Sequence, residues 1–184
     1  MEFSLVYRSS IITGVYKGWL SNADKVLDIG CGNAVVSTEI GNYFSCPVTG
    51  ADIQDYRKRD IPFRAIVEPD KLPFQDKEFS VCMFNDVLHH CYKQEELIND
   101  ALRVADRVLI FEMEPTMISK FLDYAINQIH NRKMPIPLKI RRSTEWLDYF
   151  ESLDFIDLEY RPVKRPAFYP FINYAFQLKN KGPK

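Results

Sequence analysis

Glycine is scarce in this chain: 7 of 184 residues, about half of ordinary usage. Six of the seven (Gly14, Gly18, Gly30, Gly32, Gly41, Gly50) precede residue 51, whereas ten of the eleven prolines lie from Pro62 onward. A hydrophobic content of 46% and a charged content of 27% exclude disordered and collagen-like classes. No apolar run approaches the ~20 residues of a membrane span. The start, Met1-Glu2-Phe3-Ser4, lacks a basic segment followed by an apolar stretch, so no signal peptide is read there. Neither sign of charge dominates. The net charge of −1 argues against a large nucleic-acid footprint, although a local basic patch stays open. CxxC spacing is missing too. Cys31, Cys46, Cys82 and Cys91 read as reduced thiols of a cytoplasmic protein, and buried small hydrophobes are their default role. His130 and Cys91 supply no recognised ligand spacing, so no metal site is expected.

What the chain does have is an alternation of strands and helices. Apolar residues at helical intervals predict a helix from Arg8 to Leu20, softened or broken by Gly14 and Gly18. Strands are expected at Lys25–Ile29, Pro47–Ala51, Arg64–Val67, Ser80–Phe84 and Arg107–Phe111. Helices are expected at Ala34–Phe44 and Lys93–Val104. This rhythm, with near-continuous apolar strands, predicts a parallel sheet covered on both faces. Met117–Arg132 reads as a long helix with a mostly core-facing apolar side, and Met134-Pro135-Ile136-Pro137 cannot lie inside a helix. Thr144–Ser152 reads as a short helix, and Ile156–Tyr160 and Asn173–Leu178 as closing strands.

Val26-Leu27-Asp28-Ile29-Gly30-Cys31-Gly32-Asn33 places Gly-x-Gly after a buried strand and before a helix. Glycine there permits a tight turn and close approach of backbone to a ligand. A dinucleotide fingerprint would need a third glycine where Val35 stands, and a phosphate loop would need Gly-Lys-Ser/Thr. Asp28 would repel a pyrophosphate but attract an ammonium group. Asp52 ends the next strand, where a carboxylate accepts hydrogen bonds from ribose hydroxyls. The two acids suit a nucleoside carrying an amino-acid arm, such as S-adenosylmethionine.

Four segments together resemble the class I S-adenosylmethionine-dependent methyltransferases, in particular the ubiquinone/menaquinone-methyltransferase-like (methyltransferase type 11) subgroup. They are Asp28-Ile29-Gly30-Cys31-Gly32, Asp52, Glu68-Pro69-Asp70-Lys71-Leu72-Pro73-Phe74-Gln75-Asp76, and Asn85-Asp86-Val87-Leu88-His89-His90. The resemblance spans about residues 25 to 112. It implies a Rossmann-like α/β sheet of about seven mostly parallel strands, with the last strand antiparallel and helices on both faces. It implies S-adenosylmethionine as cofactor and S-adenosylhomocysteine as product. Gly30, Cys31 and Gly32 would lie under the methionine part, with Asp28 organising the loop and the ammonium group. Asp52, followed by Ile53, would take the ribose, Glu68 and Pro69 would lie near adenine, and Asn85 near the methionine arm. Two departures stand out. Glu68 replaces the usual Asp, and Arg103-Val104-Ala105-Asp106 replaces a Lys-Pro-Gly-Gly turn.

The catalytic candidates are His89 and His90. One reading puts either beside the transferred methyl, as base or acceptor orienter. The other makes them a polar pair at a helix start with one ring packed inward. The aromatics Phe168, Tyr169, Phe171, Tyr174 and Phe176 read as strand core or substrate cage, and Lys139, Arg141 and Arg142 as solvated surface or an acidic-substrate contact. The segment after strand four lacks an Asn/Asp-Pro-Pro-aromatic motif, and neither Cys82 nor Cys91 follows proline. With the near-neutral charge, these favour a small-molecule or lipid-like acceptor over nucleic acid. An RNA or protein acceptor, with a partner subunit, and a cofactor-binding protein without transfer are the alternatives. One methyltransferase domain is expected over 1–184: an N-terminal helical cover (1–24), a cofactor half (25–112), and substrate-cover helices with closing strands (113–184). Tyr7, Tyr16 and Phe121 could line the acceptor pocket.

Overall fold

The computed structural model describes residues 2–68, 70–121, 139–164 and 169–181. Seven strands form one sheet in the order β3-β2-β1-β4-β5-β7-β6. They are β1 (Val26–Ile29), β2 (Val48–Asp52), β3 (Phe63–Ala65), β4 (Phe79–Asn85), β5 (Ala105–Met113), β6 (Ile156–Pro162) and β7 (Asn173–Asn180). Strands β1 to β5 pair in parallel, and β7 runs antiparallel to both β5 and β6. The expected Rossmann-like sheet with its antiparallel last strand is therefore present.

The helices are α1 (Glu2–Tyr16), α2 (Val35–Phe44), α3 (Gln94–Val104) and α4 (Ser143–Glu151). Alternation along the strands splits the core between the two faces. Cys82 and Phe84 of β4 face a cluster containing Leu97, Ile98 and Ala101 of α3 and Trp146 and Phe150 of α4. Val81 and Met83 face Ile12 and Tyr16 of α1 and Ile40 of α2. Each large side chain buried this way contributes on the order of 2 kcal/mol. Trp146 and Phe150 stack at 5.2 Å, and Phe150 meets Phe176 of β7 edge-on at the same distance. Tyr174 and Phe176 are thus strand core.

Several boundaries shift for local reasons. Helix α1 starts before Arg8, runs through Gly14 and stops at Tyr16. There the Trp19 and Leu20 N–H groups both donate to Tyr16 O, with Gly18 at φ +79°. Strand β3 stops at Ala65, its last ladder bond to β2 being the one the Ile66 N–H donates to Asp52 O. The chain then leaves the sheet and Val67 is exposed. Helix α3 passes into β5 with no intervening residue, which is what the missing Lys-Pro-Gly-Gly turn allows. Residues 117–121 are helical. Ile118 and Phe121, expected on the core side of that helix, are instead exposed, while Ser119 is fully buried and bonds Glu114 O. The remainder of that expected helix, the Met134–Pro137 break and Phe168 lie outside the described residues. No described helix is long and apolar enough to cross a membrane.

Candidate active site at the carboxyl ends of β1, β2 and β4

Strand order reverses direction at β1, with β2 on one side and β4 on the other. A crevice beyond the carboxyl ends of such strands is where open α/β sheets bind ligands. The turn after β1 is pinned to β2, since the Gly30 and Cys31 N–H groups donate to Ala51 O at 2.7 and 3.2 Å. The two glycines of the turn do different jobs. Gly30 has φ +76°, and a Cβ there would lie 2.1 Å from Val87 Cγ2. Gly32 has φ +51°, but a Cβ there would meet nothing within 4 Å. So Gly30 allows the post-β4 segment to pack close, and Gly32 leaves open space beside the turn. Cys31 Sγ packs over Gly50 of β2. Burial, reinforced by Asp28 and Asp52, pushes its thiol far up. This thiol is a packing group.

Asp28 is 2% exposed. Its Oδ2 accepts from Ser37 Oγ of α2 at 2.5 Å, and its Oδ1 from Asn85 Nδ2 at 3.3 Å. Burial raises this carboxyl to about 7; the two hydrogen bonds pull it down, and Asp52 pushes it further up. None of these influences is a cation. Asp52 accepts from the Gly32 N–H at 2.9 Å and from the Ile53 N–H at 2.7 Å. Burial raises it as well, against those backbone donors. A carboxylate still has lone pairs to offer after two hydrogen bonds, and Ile53 beside it is 58% exposed. The site thus presents two neighbouring acids, a glycine cradle and an exposed apolar side chain. A ligand with a cationic arm, a ribose and a planar base fits these residues.

Glu68 lies beyond β3 in a bridge with Lys71, and its side chain is exposed. Pro69 falls outside the described residues. The Leu72-Pro73-Phe74 stretch that follows is a structural anchor. Leu72 is buried, its N–H donates to Asp100 at 2.6 Å, and Arg103 donates to Leu72 O and Phe74 O.

Beyond β4, Asn85 Oδ1 accepts from the Tyr16 hydroxyl of α1 at 2.9 Å. Asp86 adopts φ +55°, a conformation uncommon outside glycine. Burial raises its carboxyl to about 6, against the pull of Arg8. Arg8 of α1 pairs with Asp86, donates to Tyr169 Oη at 2.9 Å, and sits 5.7 Å from the ring centroids of both Phe111 and Phe171. Tyr169 and Phe171 therefore pack around a cation.

Glu112 of β5 stitches the next segment down. Its Oε1 accepts from the Val87 and Leu88 N–H groups at 3.0 and 2.8 Å, and its Oε2 lies 2.7 Å from His89 Nδ1. Burial would raise this carboxyl, but His89 and the Leu88 N–H outweigh it and hold it below the usual range. His89 is 2% exposed, and its ring lies 4.0 Å from that of the half-buried His90. Arg141 pairs with Glu95 at 2.7 Å and covers Trp146. Lys139 Nζ reaches Tyr92 O at 3.4 Å.

The structure brings together Asp28, Gly30, Cys31, Gly32, Asp52, Ile53 and Asn85. Glu68 stands at the exposed end beyond β3, and the histidines lie beyond β4. Sequence reasoning missed Ser37, Arg8, Asp86 and Glu112. A lone polar residue on the buried side of α2 was the available signal for Ser37. Asp86 adjoins a residue already singled out.

Residues 27–110 match the methyltransferase-domain family model. No curated protein matches the chain by sequence. Among solved structures, the PH0226 protein of Pyrococcus horikoshii OT3 superposes with a TM-score of 0.69 at 17% identity, covering 95% of this chain and 92% of its own. A SAM-dependent methyltransferase of Thermotoga maritima gives 0.66 at 14% identity, covering 96% and 92%. A Haloferax volcanii methyltransferase solved in complex with the Trm112 activator gives 0.65 at 13%, covering 88% and 84%. At these identities the likeness is one of fold.

Proposed function

We propose that this chain, whose residues 27–110 match a methyltransferase-domain model, is an S-adenosylmethionine-dependent methyltransferase of the class I type and that its methyl acceptor is a small molecule or lipid-like metabolite. The observation that carries this reading is the roof over the end of β4. Helix α1 lays Tyr16, fully buried, onto Asn85, and Arg8 onto Asp86. A strand end covered by the chain itself suits a compact acceptor better than a polynucleotide. The net charge of −1 supports the same choice.

The bound cofactor supplies an electrophilic methyl group on a sulfonium. The protein's task is alignment, because the leaving group is already good. Asp28 receives the ammonium group, and the backbone of Gly30 to Gly32 passes under the methionine arm. Asp52 would take the ribose hydroxyls, Ile53 would pack on the base, and Glu68 would stand at its far edge. Asn85 holds Asp28 in place. His89, held by Glu112, sets the shape of the post-β4 segment, and His90 beside it takes the acceptor's proton where one must leave. In this reading residues 1–24 cover the site, 25–112 hold the cofactor, and 113–184 complete the acceptor pocket. The enzyme works in the cytoplasm, to which four unpaired cysteines are suited.

Radiolabelled methyl transfer into fractionated cell extract tests the acceptor class. Label is expected in the low-mass or lipid fraction. Label confined to RNA or protein, particularly if it depends on an added partner subunit, would overturn the small-molecule assignment.

A further inference from the structure

Helix α1 reaches the cofactor side of the site through the Tyr16 side chain, and that contact has a direction. Tyr16 lies at the last turn of α1, fully buried, with its ring 6.1 Å from that of Trp19. Its hydroxyl lies 2.9 Å from Asn85 Oδ1, and Asn85 Nδ2 lies 3.3 Å from Asp28 Oδ1. An ionised carboxylate only accepts hydrogen bonds. The Asn85 amide must therefore turn its NH2 toward Asp28 and its oxygen toward Tyr16, and the phenol must donate. The polarity of the whole chain is fixed from its carboxylate end.

A flipped amide would set its carbonyl against the Asp28 carboxylate, so the carboxylate sets the orientation, and the phenol, which can donate or accept, answers it by donating. By capping Asn85 Oδ1, Tyr16 stabilises the Asn85 orientation that supports a charged Asp28. We propose that Tyr16 is a positioning residue for the cofactor's ammonium group, acting through Asn85 on Asp28. This rests on Asp28 being the ammonium site.

Seating of α1 is thus coupled to cofactor affinity. Arg8, two turns earlier on the same helix, holds Asp86, the neighbour of Asn85. Both anchors of α1 grip one dipeptide at the end of β4. The groups facing Asp28 are Ser37 from α2, Asn85 from β4, the like charge of Asp52 from β2, and the neutral Cys31 thiol. The Tyr16 phenol is itself kept neutral by burial and by the charge of Asp28. Among the described residues, Ser37 and Asn85 are the groups that favour the ionised form of Asp28. Weakening the Asn85 donor leaves Ser37 alone against burial and Asp52.

The test is calorimetric titration of the full chain with S-adenosylmethionine and S-adenosylhomocysteine from pH 5.5 to 8.5, comparing wild type with Tyr16→Phe. The substitution keeps the ring and removes only the hydroxyl. About tenfold weaker binding at pH 7.5 is expected. The acidic limb of the affinity profile should move to higher pH, because Asp28 holds its proton longer. The cofactor's own ionisation is common to both proteins and cancels. A lower melting temperature with unchanged affinity and an unchanged acidic limb would show a merely structural tyrosine and overturn the proposal. Tyr16→Leu, which removes hydroxyl and ring shape together, should match Tyr16→Phe in the position of the acidic limb. A limb that returns to the wild-type position in Tyr16→Leu would also overturn it. Failure of the wild type itself to bind either ligand would instead refute the ammonium site on which the proposal stands.

Discussion

The carboxyl ends of β1 and β2 and those of β4 and β5 each carry two buried or part-buried acids, in opposite settings. Asp28 and Asp52 sit near each other, held by hydroxyl, amide and backbone donors, with no cation among their main influences. Asp86 has Arg8, and Glu112 has His89 and two backbone N–H groups. A buried charge without a partner is costly, and a fold retains one where a ligand completes it. A buried charge that is already matched holds structure together. On the proposed reading the first pair receives a cationic ligand; the second shows how the post-β4 segment is fixed beside it.

The largest way to break this contrast is on the matched side. Glu112→Ala would leave the Val87 and Leu88 N–H groups and the buried His89 ring without their acceptor. Removing one partner of a buried polar cluster costs about 3–5 kcal/mol. A correspondingly lower midpoint in chemical denaturation is expected. A loss below about 1 kcal/mol would show that Glu112 is not the stitch described here.

Asp28→Asn probes the unmatched side, and its two effects should have opposite signs. Removal of the negative charge should weaken S-adenosylmethionine binding about a hundredfold, near 2.7 kcal/mol. Stability should move the other way. The folded carboxyl titrates near 7, against about 3.9 in an unfolded chain. Between those values the folded state binds the extra proton, so stability falls as pH rises. Asp86, raised to about 6, contributes in the same direction over its own window. Wild type should therefore melt lower at pH 8 than at pH 5.5, while cofactor affinity runs the opposite way. Asp28→Asn should melt above wild type at pH 8, with the gap closing toward pH 4. Thermal melts across that range check it, and a variant less stable at pH 8 would remove the idea of an uncompensated acid.

The two sides also differ in how far they could be read from sequence. The turn at Gly30 to Gly32, with Asp28 and Asp52, was legible because its parts lie within one strand-turn-helix-strand unit, where spacing alone sets geometry. Seven strands and the antiparallel last one followed from apolar runs and the family resemblance. Arg8 with Asp86 and Tyr16 with Asn85 were not legible. Their partners lie 78 and 69 residues apart, and only the seating of α1 on the sheet brings them together. Glu112 was hidden within a long apolar strand, so the histidine pair showed no partner. Phe121 looked like core from its helical spacing, but periodicity says which residues share a face and not whether anything covers it.

The smallest expected effect comes from Glu68, and it sharpens the contrast most finely. Its charge has the same sign as that of Asp28, and the family resemblance places it at the adenine end of the same ligand. Its side chain is exposed, however, where water screens charge and a hydrogen bond to a ligand competes with solvent. Glu68→Gln should weaken cofactor binding only a few-fold and leave the melting temperature unchanged. Titration beside Asp28→Asn at one pH measures the ratio directly. Equal losses would mean that burial does not concentrate the electrostatics of this site, and that count of acids, rather than their lack of partners, is what selects the ligand.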